Sequence, residues 1–482
     1  MALAGRIAYN VVFNAVAKVI STALALVAIG FITRYLGKDG FGNYATMLAF
    51  FAFFNAIGDL GLQSVTAREI SREGAKESHI MSNVLTLRLA ISLLILVLTP
   101  ALAFFLPYSV DLKFAIIVAA LAFVFSSVSM TLNGIFQKHL AMDKVATIEL
   151  GGKLVQLSII IIAVQKDLGF MTIALALLSY MMFNALAVFF ISRNYFSFSF
   201  QCDWAYWKGF LKQSIPLGIA SVIGFAYFKA DTIMLSFLKS SADVGIYNVA
   251  YKVIENLIFF PAMVAGLVLP LLSRFIFTER AKFDLIANKT FKVFLVLVVP
   301  LVIGVFSLAP QIVGIIGGAG FPESAAILRT LIFSLAFIFF GQFFNTIVVV
   351  SNLQGKLMNA FILAAIINIS LNLLLIPRYS YTGAAFTSVL TEMVVVACSF
   401  LIVYRHTHYR PTITNLWSIA LSGALMGLYL WFFSSLHLAL LILGSIAIYL
   451  SSLWMTDAIE KEEILQVLAG SKFARNNGAI VE

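Results

Sequence analysis

Fourteen apolar runs dominate this chain, at residues 9–35, 42–62, 83–106, 113–136, 147–165, 169–191, 214–237, 246–273, 291–316, 325–350, 358–376, 383–404, 416–434 and 437–455. Each can cross a hydrocarbon layer about 30 Å thick at about 1.5 Å per residue. No water is available in that layer to satisfy backbone N–H and C=O groups, so runs of this length must be helices rather than barrel strands. Composition agrees. Of 482 residues, 61% are hydrophobic and 11% charged, whereas a soluble domain carries about 25% charged residues. A soluble enzyme, a disordered chain and a secreted disulfide scaffold are excluded. Cys202 and Cys398 lie in different segments and form no framework. The first run is too long for a signal-peptide core and is read as retained. The expected fold is an all-α polytopic membrane protein of about 14 transmembrane helices.

An even number of crossings puts both termini on one side. With the N-terminus inside, 20 basic residues of the loops and tails fall inside and 5 outside (Arg34, Lys38, Lys166, Lys239 and Arg378), with Lys113 at the border. That bias is the positive-inside signature and places both termini in the cytoplasm. The net charge of +10 is therefore an orientation signal with a weak attraction to anionic membrane lipids, not a nucleic-acid footprint.

The chain also repeats itself. Gly37-Lys38-Asp39-Gly40-Phe41-Gly42-Asn43-Tyr44 and Ser240-Ser241-Ala242-Asp243-Val244-Gly245-Ile246-Tyr247 each form a polar turn after a span, then Gly-x-Tyr opening the next, at an offset of 203 residues. Gly169 and Gly383, which open spans 6 and 12, make a weaker echo. Six spans per repeat makes the halves parallel, two pseudo-symmetric six-helix lobes related by an axis along the membrane normal, with the substrate path between them. The expected organisation is an N-lobe at 1–192, an interfacial linker at 193–213, a C-lobe at 214–404, helices 13 and 14 at 405–455 and a cytoplasmic tail at 456–482. The linker is rich in aromatic residues, from Tyr195 to Trp207, which suits the membrane–water interface.

Charges inside spans are functional candidates. The bases are Lys18, Arg88, Lys153, Lys229, Lys252 and Arg329; the acids are Asp59, Glu149, Asp231, Glu255 and Glu392. Several lie on polar stripes at helical spacing: Asn10, Asn14, Lys18 and Ser21 in span 1, Asn55 and Asp59 in span 2, Ser126, Ser129, Asn133 and Gln137 in span 4, and Glu149, Lys153 and Gln156 in span 5. Such stripes must face protein or water, because an unpaired donor in hydrocarbon costs several kcal/mol. Each residue alone is as readily structural as functional: Glu149 with Lys153, and Lys252 with Glu255, can pair within their own helices, and Lys113 and Arg329 can reach an interface. The set as a whole implies a hydrated cavity with excess positive charge, lined by the six bases with Asn14, Asn133, Asp59 and Glu255. Asp231, Asn368, Asn372 and Ser388 form a second set that could bind Na⁺, carry a proton, or be a buried hydrogen-bonded cluster.

Absences narrow the chemistry. No phosphate-binding loop is present, since Gly151-Gly152-Lys153 lies inside a span and lacks the pattern. His406-x-His408 lies in a loop, and His79, His139 and His437 are scattered elsewhere, so no metal site is expected. No nucleophile motif appears. The expectation is a transporter rather than an enzyme, with no cofactor.

Arg34-Tyr35-Leu36-Gly37-Lys38-Asp39-Gly40-Phe41-Gly42-Asn43-Tyr44-Ala45, Gly58-Asp59-Leu60-Gly61-Leu62, Ala67-Arg68-Glu69-Ile70, Val244-Gly245-Ile246-Tyr247-Asn248-Val249-Ala250-Tyr251-Lys252 and Tyr381-Thr382-Gly383-Ala384-Ala385 together resemble the polysaccharide-biosynthesis flippases. These are the oligosaccharidyl-lipid branch of the multidrug/oligosaccharidyl-lipid/polysaccharide exporter superfamily, whose relatives include drug–cation antiporters and peptidoglycan lipid flippases. The resemblance runs through residues 5–455. It implies two MATE-like lobes with V-shaped alternating access and two further C-terminal helices. It also implies movement of a polyprenyl-(pyro)phosphate-linked oligosaccharide from the inner to the outer leaflet of the cytoplasmic membrane, for surface polysaccharide or glycoconjugate assembly. A polysaccharide polymerase complex is the implied protein partner. Where the peptidoglycan branch binds Na⁺ between spans 7, 11 and 12, Asp231, Asn368, Asn372 and Ser388 stand here, with an amide at Asn372 where an acid can occur. Na⁺ or H⁺ is the implied coupling ion. The rival reading, a cation-coupled drug or metabolite antiporter of the same fold, would call for a more acidic pocket.

The physics of such a cargo fits the residues. Each unpaired hydroxyl costs about 2–7 kcal/mol in hydrocarbon, and basic side chains can replace water around the phosphates through charge-assisted contacts. With the cell interior negative, each anionic charge leaving gains about 2.3 kcal/mol per 100 mV.

Overall fold

The computed structural model describes residues 3–412 and 415–456, with side chains from Phe13 onward except Ala15. The expected tail, with Lys461, Lys472 and Arg475, lies outside the described residues, as does the side chain of Asn10.

Helices make up most of the described chain. In order they are α1 (Leu3–Asp59), α2 (Leu62–Ile70), α3 (Glu77–Phe105), α4 (Val110–Lys138), α5 (Met142–Gln165), α6 (Gly169–Ser192), α7 (Trp204–Phe228), α8 (Ala230–Leu238), α9 (Ser241–Leu257), α10 (Phe259–Phe275), α11 (Arg280–Ile316), α12 (Ser324–Val350), α13 (Gln354–Thr407), α14 (Leu416–Phe432) and α15 (Leu438–Met455). Two of them are pairs of crossings joined at a sharp bend. The bend in α1 is Gly37, with φ 65° and ψ −167°, where the absence of a Cβ removes the steric penalty. The bend in α13 is Ser380, at φ 48°, three residues after Pro377. In the other direction, α7 and α8 make one crossing broken at Lys229, and α9 and α10 make one with an irregularity at Ile258. Fourteen crossings result, at the places the apolar runs mark. Eleven helical stretches of the described chain, with α9 and α10 counted together as Ser241–Phe275, are long and apolar enough to span, and Leu416–Phe432 is a shorter apolar helix.

Three features depart from the sequence reading. Span 7 is broken at Lys229 (φ −129°), and span 8 has a one-residue irregularity at Ile258, which keeps helical dihedrals and donates to the Ile254 carbonyl at 3.1 Å. The charged pair Lys229 and Asp231 flanks the break, and Pro261 follows the irregularity within the first turn of α10. The polar segment after span 2 is the short helix α2, set off by an elbow in which Leu60 (φ 46°) and Gly61 (φ 74°) are both left-handed.

Packing groups the chain into two compact units. The first comprises the chain through Val249 with residues 315–321 and 365–384; the second comprises residues 250–314, 322–364 and the chain from Ala385 on. In the first, α4 is the central helix. Its Ala115, Ala119, Ala120 and Ala122 are fully buried, and it packs against α1, α2, α3, α5 and α6. Small residues allow this closeness where no hydrophobic drive separates protein from lipid. In the second, α12 is buried to the same degree, 56% of its most apolar stretch in each case. These are the fourth and tenth crossings, equivalent positions in a six-span repeat. Also in the second unit, α14 and α15 pack on α11 through Leu308, Ile419, Met426, Leu441, Tyr449 and Leu453, and the Ser422 Oγ donates to Ser452 Oγ at 3.0 Å.

The linker is fastened rather than free. Ser199 N–H donates to Ser82 Oγ (3.2 Å), Gln201 N–H to Thr86 Oγ1 (3.4 Å) and Asp203 N–H to Asn83 Oδ1 (3.2 Å), so one face of α3 holds an extended strap. Phe200 and Trp204 remain 78% and 73% exposed on it, which suits insertion into the interface.

Candidate functional site

The elbow at Leu60–Gly61 is built around an acid. Asp59 accepts from Gly61 N–H at 3.1 Å and Gln63 N–H at 3.3 Å, which organises the start of α2. The same carboxylate is ion-paired with Arg88 of α3. Arg88 is 3% exposed, its Nη1 donates to the Ser127 carbonyl of α4 at 3.3 Å, and its Nε has no hydrogen-bond partner among the described residues. The structure thus places Arg88 inside the helix packing, with its charge compensated by Asp59. The elbow in turn lies against α7. A Cβ at Gly61 would meet Leu217 Cβ at 2.6 Å, and one at Gly218 would meet the Leu60 carbonyl carbon at 2.6 Å. Only glycine permits that approach.

A second polar seam joins α1, α5 and α6. Ser21 Oγ donates to Glu149 Oε1 at 3.2 Å, so the face of α1 that carries Ser21 turns toward α5. Lys18 is one turn earlier on that face. It is exposed and has no hydrogen-bond or ion-pair partner among the described residues. Lys153 donates to Gln156 Oε1 at 3.3 Å and lies 4.2 Å from the Tyr180 ring centroid, a cation–π contact. Asn14 is half-buried on α1. On α4, Ser126 Oγ donates to Asn55 Oδ1 at 3.1 Å, while the buried Oδ1 of Asn133 has no partner among the described residues.

The third group is brought together by the break in span 7. Asp231, in the first turn of α8, is 4% exposed. It accepts from Tyr247 Oη of α9 at 3.1 Å and from Asn372 Nδ2 of α13 at 2.6 Å; that Nδ2 also donates to Asn368 Oδ1 at 3.0 Å. Thr232 Oγ1 donates to Asn248 Oδ1 at 3.2 Å beside it. Three of the four residues read as a cation set therefore meet, while Ser388 belongs to the second unit. The acceptor set suits a small cation or a proton: a carboxylate, a carboxamide oxygen at Asn368, and a buried Asn372 Oδ1 with no partner among the described residues. Tyr247 was missed by the sequence reading as a member. Its signal is the repeated Gly-x-Tyr itself.

In the second unit Lys252 pairs with Glu255 at 2.7 Å, as their spacing allowed. Arg329 is exposed, donates from Nε to the Phe306 carbonyl at 3.1 Å and lies over the Phe306 ring. Lys229 is half-buried at the α7–α8 break. On the side the charge bias assigns to the exterior, Arg34 Nη2 donates to the Ile315 carbonyl at 2.7 Å and Lys239 Nζ to the Pro377 carbonyl at 2.9 Å, so two of the five outer bases cap helix ends. Between α3 and α4, burial pushes the Tyr108 phenol up to about 12, against the opposing effect of its hydrogen bond with Ser236.

Residues 7–276 match the family described as polysaccharide biosynthesis protein. A protein of Haloferax volcanii named probable low-salt glycan biosynthesis flippase Agl15 is 22% identical over 409 residues, 83% of each chain. Among solved structures, the lipid II flippase MurJ in an inward closed conformation aligns with TM-score 0.77 and 16% identity, over 94% of this chain and 100% of its own. An inward-facing multidrug resistance MATE transporter aligns with TM-score 0.65 and 15% identity, over 82% and 98%. A transporter of the same superfamily from Pyrococcus furiosus aligns with TM-score 0.58 and 17% identity, over 83% and 95%.

Proposed function

The chain belongs to the polysaccharide biosynthesis protein family, and from that premise we propose that it is a multi-pass membrane flippase of glycan biosynthesis rather than an enzyme, and that its cargo is a polyprenyl-(pyro)phosphate-linked oligosaccharide carried from the inner to the outer leaflet by alternating access. The membrane is the cytoplasmic membrane, with both termini inside, and a polysaccharide polymerase is the class of protein that would receive the product.

The observation that carries the cargo assignment is Lys18. A lysine amid apolar helices is costly unless it is paired or wet, and this one is exposed on the α1 face turned to α5, with no partner among the described residues. The neighbouring acid Glu149 is engaged by Ser21. A phosphate is the ligand such a cation suits, and a charge-assisted contact of about 1.5–3 kcal/mol would replace part of its hydration. Asn14 on α1, Lys153 on α5 and Asn133 on α4 would supply further polar groups for the sugar hydroxyls. Asp231, Asn368 and Asn372 would hold the coupling ion, Na⁺ or H⁺, whose chemistry is to neutralise Asp231; Tyr247 and Asn372 orient the carboxylate for it.

The test is capture of a photoactivatable polyprenyl-phosphate disaccharide by purified protein. Wild type and Lys18→Arg should be labelled, competed by unlabelled lipid-linked sugar and not by a cationic dye, and Lys18→Ala should lose most of the labelling. Equal labelling of Lys18→Ala, or competition by the dye alone, overturns the assignment.

A further inference from the structure

The internal repeat extends to the inner face, and there the two copies differ in kind. Lys144 and Lys356 stand just before spans 5 and 11, and Tyr195 and His406 stand just past spans 6 and 12. In the first pair a base meets a phenol. Lys144 Nζ donates to Tyr195 Oη at 3.0 Å and lies 5.2 Å from its ring centroid. His139, with its ring 4.8 Å from that of Tyr195, shares the carboxylate of Glu77 with Lys138. In the second pair the acceptor is itself a base. His406 Nδ1 lies 2.8 Å from the Ile402 carbonyl. A carbonyl can only accept, so Nδ1 carries the proton and Nε2 offers its lone pair, to which Lys356 Nζ donates.

Among the described residues no acid answers this second pair. The inner-end segments 64–82, 137–147 and 192–213 hold eight lysines and arginines with five acids, whereas 274–292, 351–358 and 404–412 hold eight with two. Those two acids are engaged, Asp284 by Arg280 at 3.0 Å and Glu279 by Lys282 at 2.7 Å. The charged and titratable groups near the imidazole are Lys356, its sequence neighbours Arg405, His408 and Arg410, and Arg280, whose Nη1 donates to the Thr407 carbonyl at 2.5 Å. Arg410 is turned onto the Tyr404 ring, 4.5 Å from its centroid. Arg405 is exposed, with no hydrogen-bond or ion-pair partner among the described residues. The end of α12 brings no charge to this place. All of these residues belong to the second compact unit. Bases gathered in this way repel one another, and an anion among them is held by charge-assisted contacts.

We infer that Lys356, His406 and Arg405 form a phosphate-binding site at the inner ends of spans 11 and 12. A proton on Nε2 turns His406 from acceptor to donor. The imidazolium and the Lys356 ammonium are then donors side by side, and one phosphate oxygen can accept from both. Arg405 supplies a planar fork for a second oxygen. Histidine changes charge between about pH 5 and 8, so the site takes up a proton as it fills and tightens as pH falls. The phenol of Tyr195 cannot become a cation, so the first unit has no counterpart. The phosphate is that of an inner-leaflet phospholipid or of the free ion. Leu401, one turn before Arg405, is 46% exposed among lipid-facing positions of α13, which sets the site at headgroup level. None of these three residues belongs to the cargo or cation sets, so the inference stands apart from the cargo.

The experiment titrates the full chain in an uncharged detergent with a fluorescent phosphatidylglycerol, at fixed ionic strength, at about pH 6 and about pH 8. Wild type should bind severalfold more tightly at the lower pH. His406→Gln should show the weaker affinity at both. Lys356→Ala and Arg405→Ala should each weaken binding about tenfold, the loss of one charge-assisted contact. His408→Gln and Lys144→Ala should bind as wild type does. Every position substituted is exposed, so folding is not at stake. Competitors at the lower pH separate the sources. Displacement by inorganic phosphate supports a site for the free ion, and displacement by unlabelled phosphatidylglycerol alone supports a lipid site. Equal binding by wild type, Lys356→Ala and His406→Gln at both pH values overturns the site. So does an equal loss in Lys144→Ala, which marks general attraction to a basic face, and so does a pH dependence that survives in His406→Gln.

Discussion

Asp59 and Arg88 provide the sharpest test of how the first unit is held together. The Arg88 side chain is 3% exposed and that of Asp59 14%, so the pair is far from the solvent-screened class worth about 0.2–1 kcal/mol. Breaking a buried pair by removing one partner costs about 3–5 kcal/mol, chiefly because the other charge is stranded. The two halves differ in how stranded they become. Asp59→Asn leaves a single oxygen to be shared by the Gly61 and Gln63 N–H groups and Arg88, and removes the negative charge that compensates the buried guanidinium; the full 3–5 kcal/mol is expected to be lost. Arg88→Leu leaves Asp59 beside two N–H donors and some solvent, and about 1–3 kcal/mol is expected. The double variant should resemble Arg88→Leu rather than the sum, a coupling of about 2 kcal/mol or more by double-mutant cycle. Denaturant unfolding in micelles reads this out, with Trp207, packed with Leu62, Val65, Val84 and Leu87, as the local fluorophore. Additive losses, or an Asp59→Asn variant within about 0.5 kcal/mol of wild type, would refute the reasoning.

Further consequences are equally concrete. Lys18→Ala should lower cargo transport by about 10- to 150-fold, the equivalent of one charge-assisted contact, with unchanged membrane insertion and melting, while Lys18→Arg retains most of it; parity of Lys18→Ala with wild type would remove the phosphate role. Gly218→Val should push the Leu60–Gly61 elbow off α7 and speed proteolysis between residues 61 and 76 severalfold, whereas Gly224→Val, with open space around it, should not. Tyr108, whose pKa burial raises to about 12, favours the folded state below the unfolded value of about 10, and that contribution is lost as pH rises from about 10 through 12; Tyr108→Phe should remove one late phenol from the ultraviolet titration and flatten the stability profile in that window.

The spans were legible because hydrocarbon allows few alternatives: an apolar run of sufficient length must be helical. Gly37 and the Gly-x-Tyr repeat were visible for the same reason, as polar interruptions of an apolar pattern. What hydropathy cannot see is a break that leaves the run apolar on average. Lys229 interrupts span 7, and only the charged Lys229-Ala230-Asp231 marked the place. The helix α2 is short and polar on one face, so it reads as loop. At the site, Asp231, Asn368 and Asn372 were grouped from residue type and span number, and they meet. Arg88 was grouped with Lys18 on charge alone, and sequence does not report burial: one is sealed against Asp59 while the other lies open on α1. Tyr247 escaped because an aromatic residue in a membrane helix is ordinarily packing, and its hydroxyl matters only because the break in span 7 turns Asp231 toward it.

The central claim is that this chain carries a lipid-linked, phosphate-bearing glycan across a bilayer. The direct measurement is flipping itself: purified protein in sealed vesicles holding a fluorescent polyprenyl-pyrophosphate oligosaccharide in both leaflets, with an impermeant quencher outside, run with Na⁺, pH and voltage gradients imposed in turn. Complete quenching with wild type, against the half expected of empty vesicles, and slow quenching with Lys18→Ala, is the predicted result. Half quenching with correctly folded wild-type protein under every gradient would contradict the account.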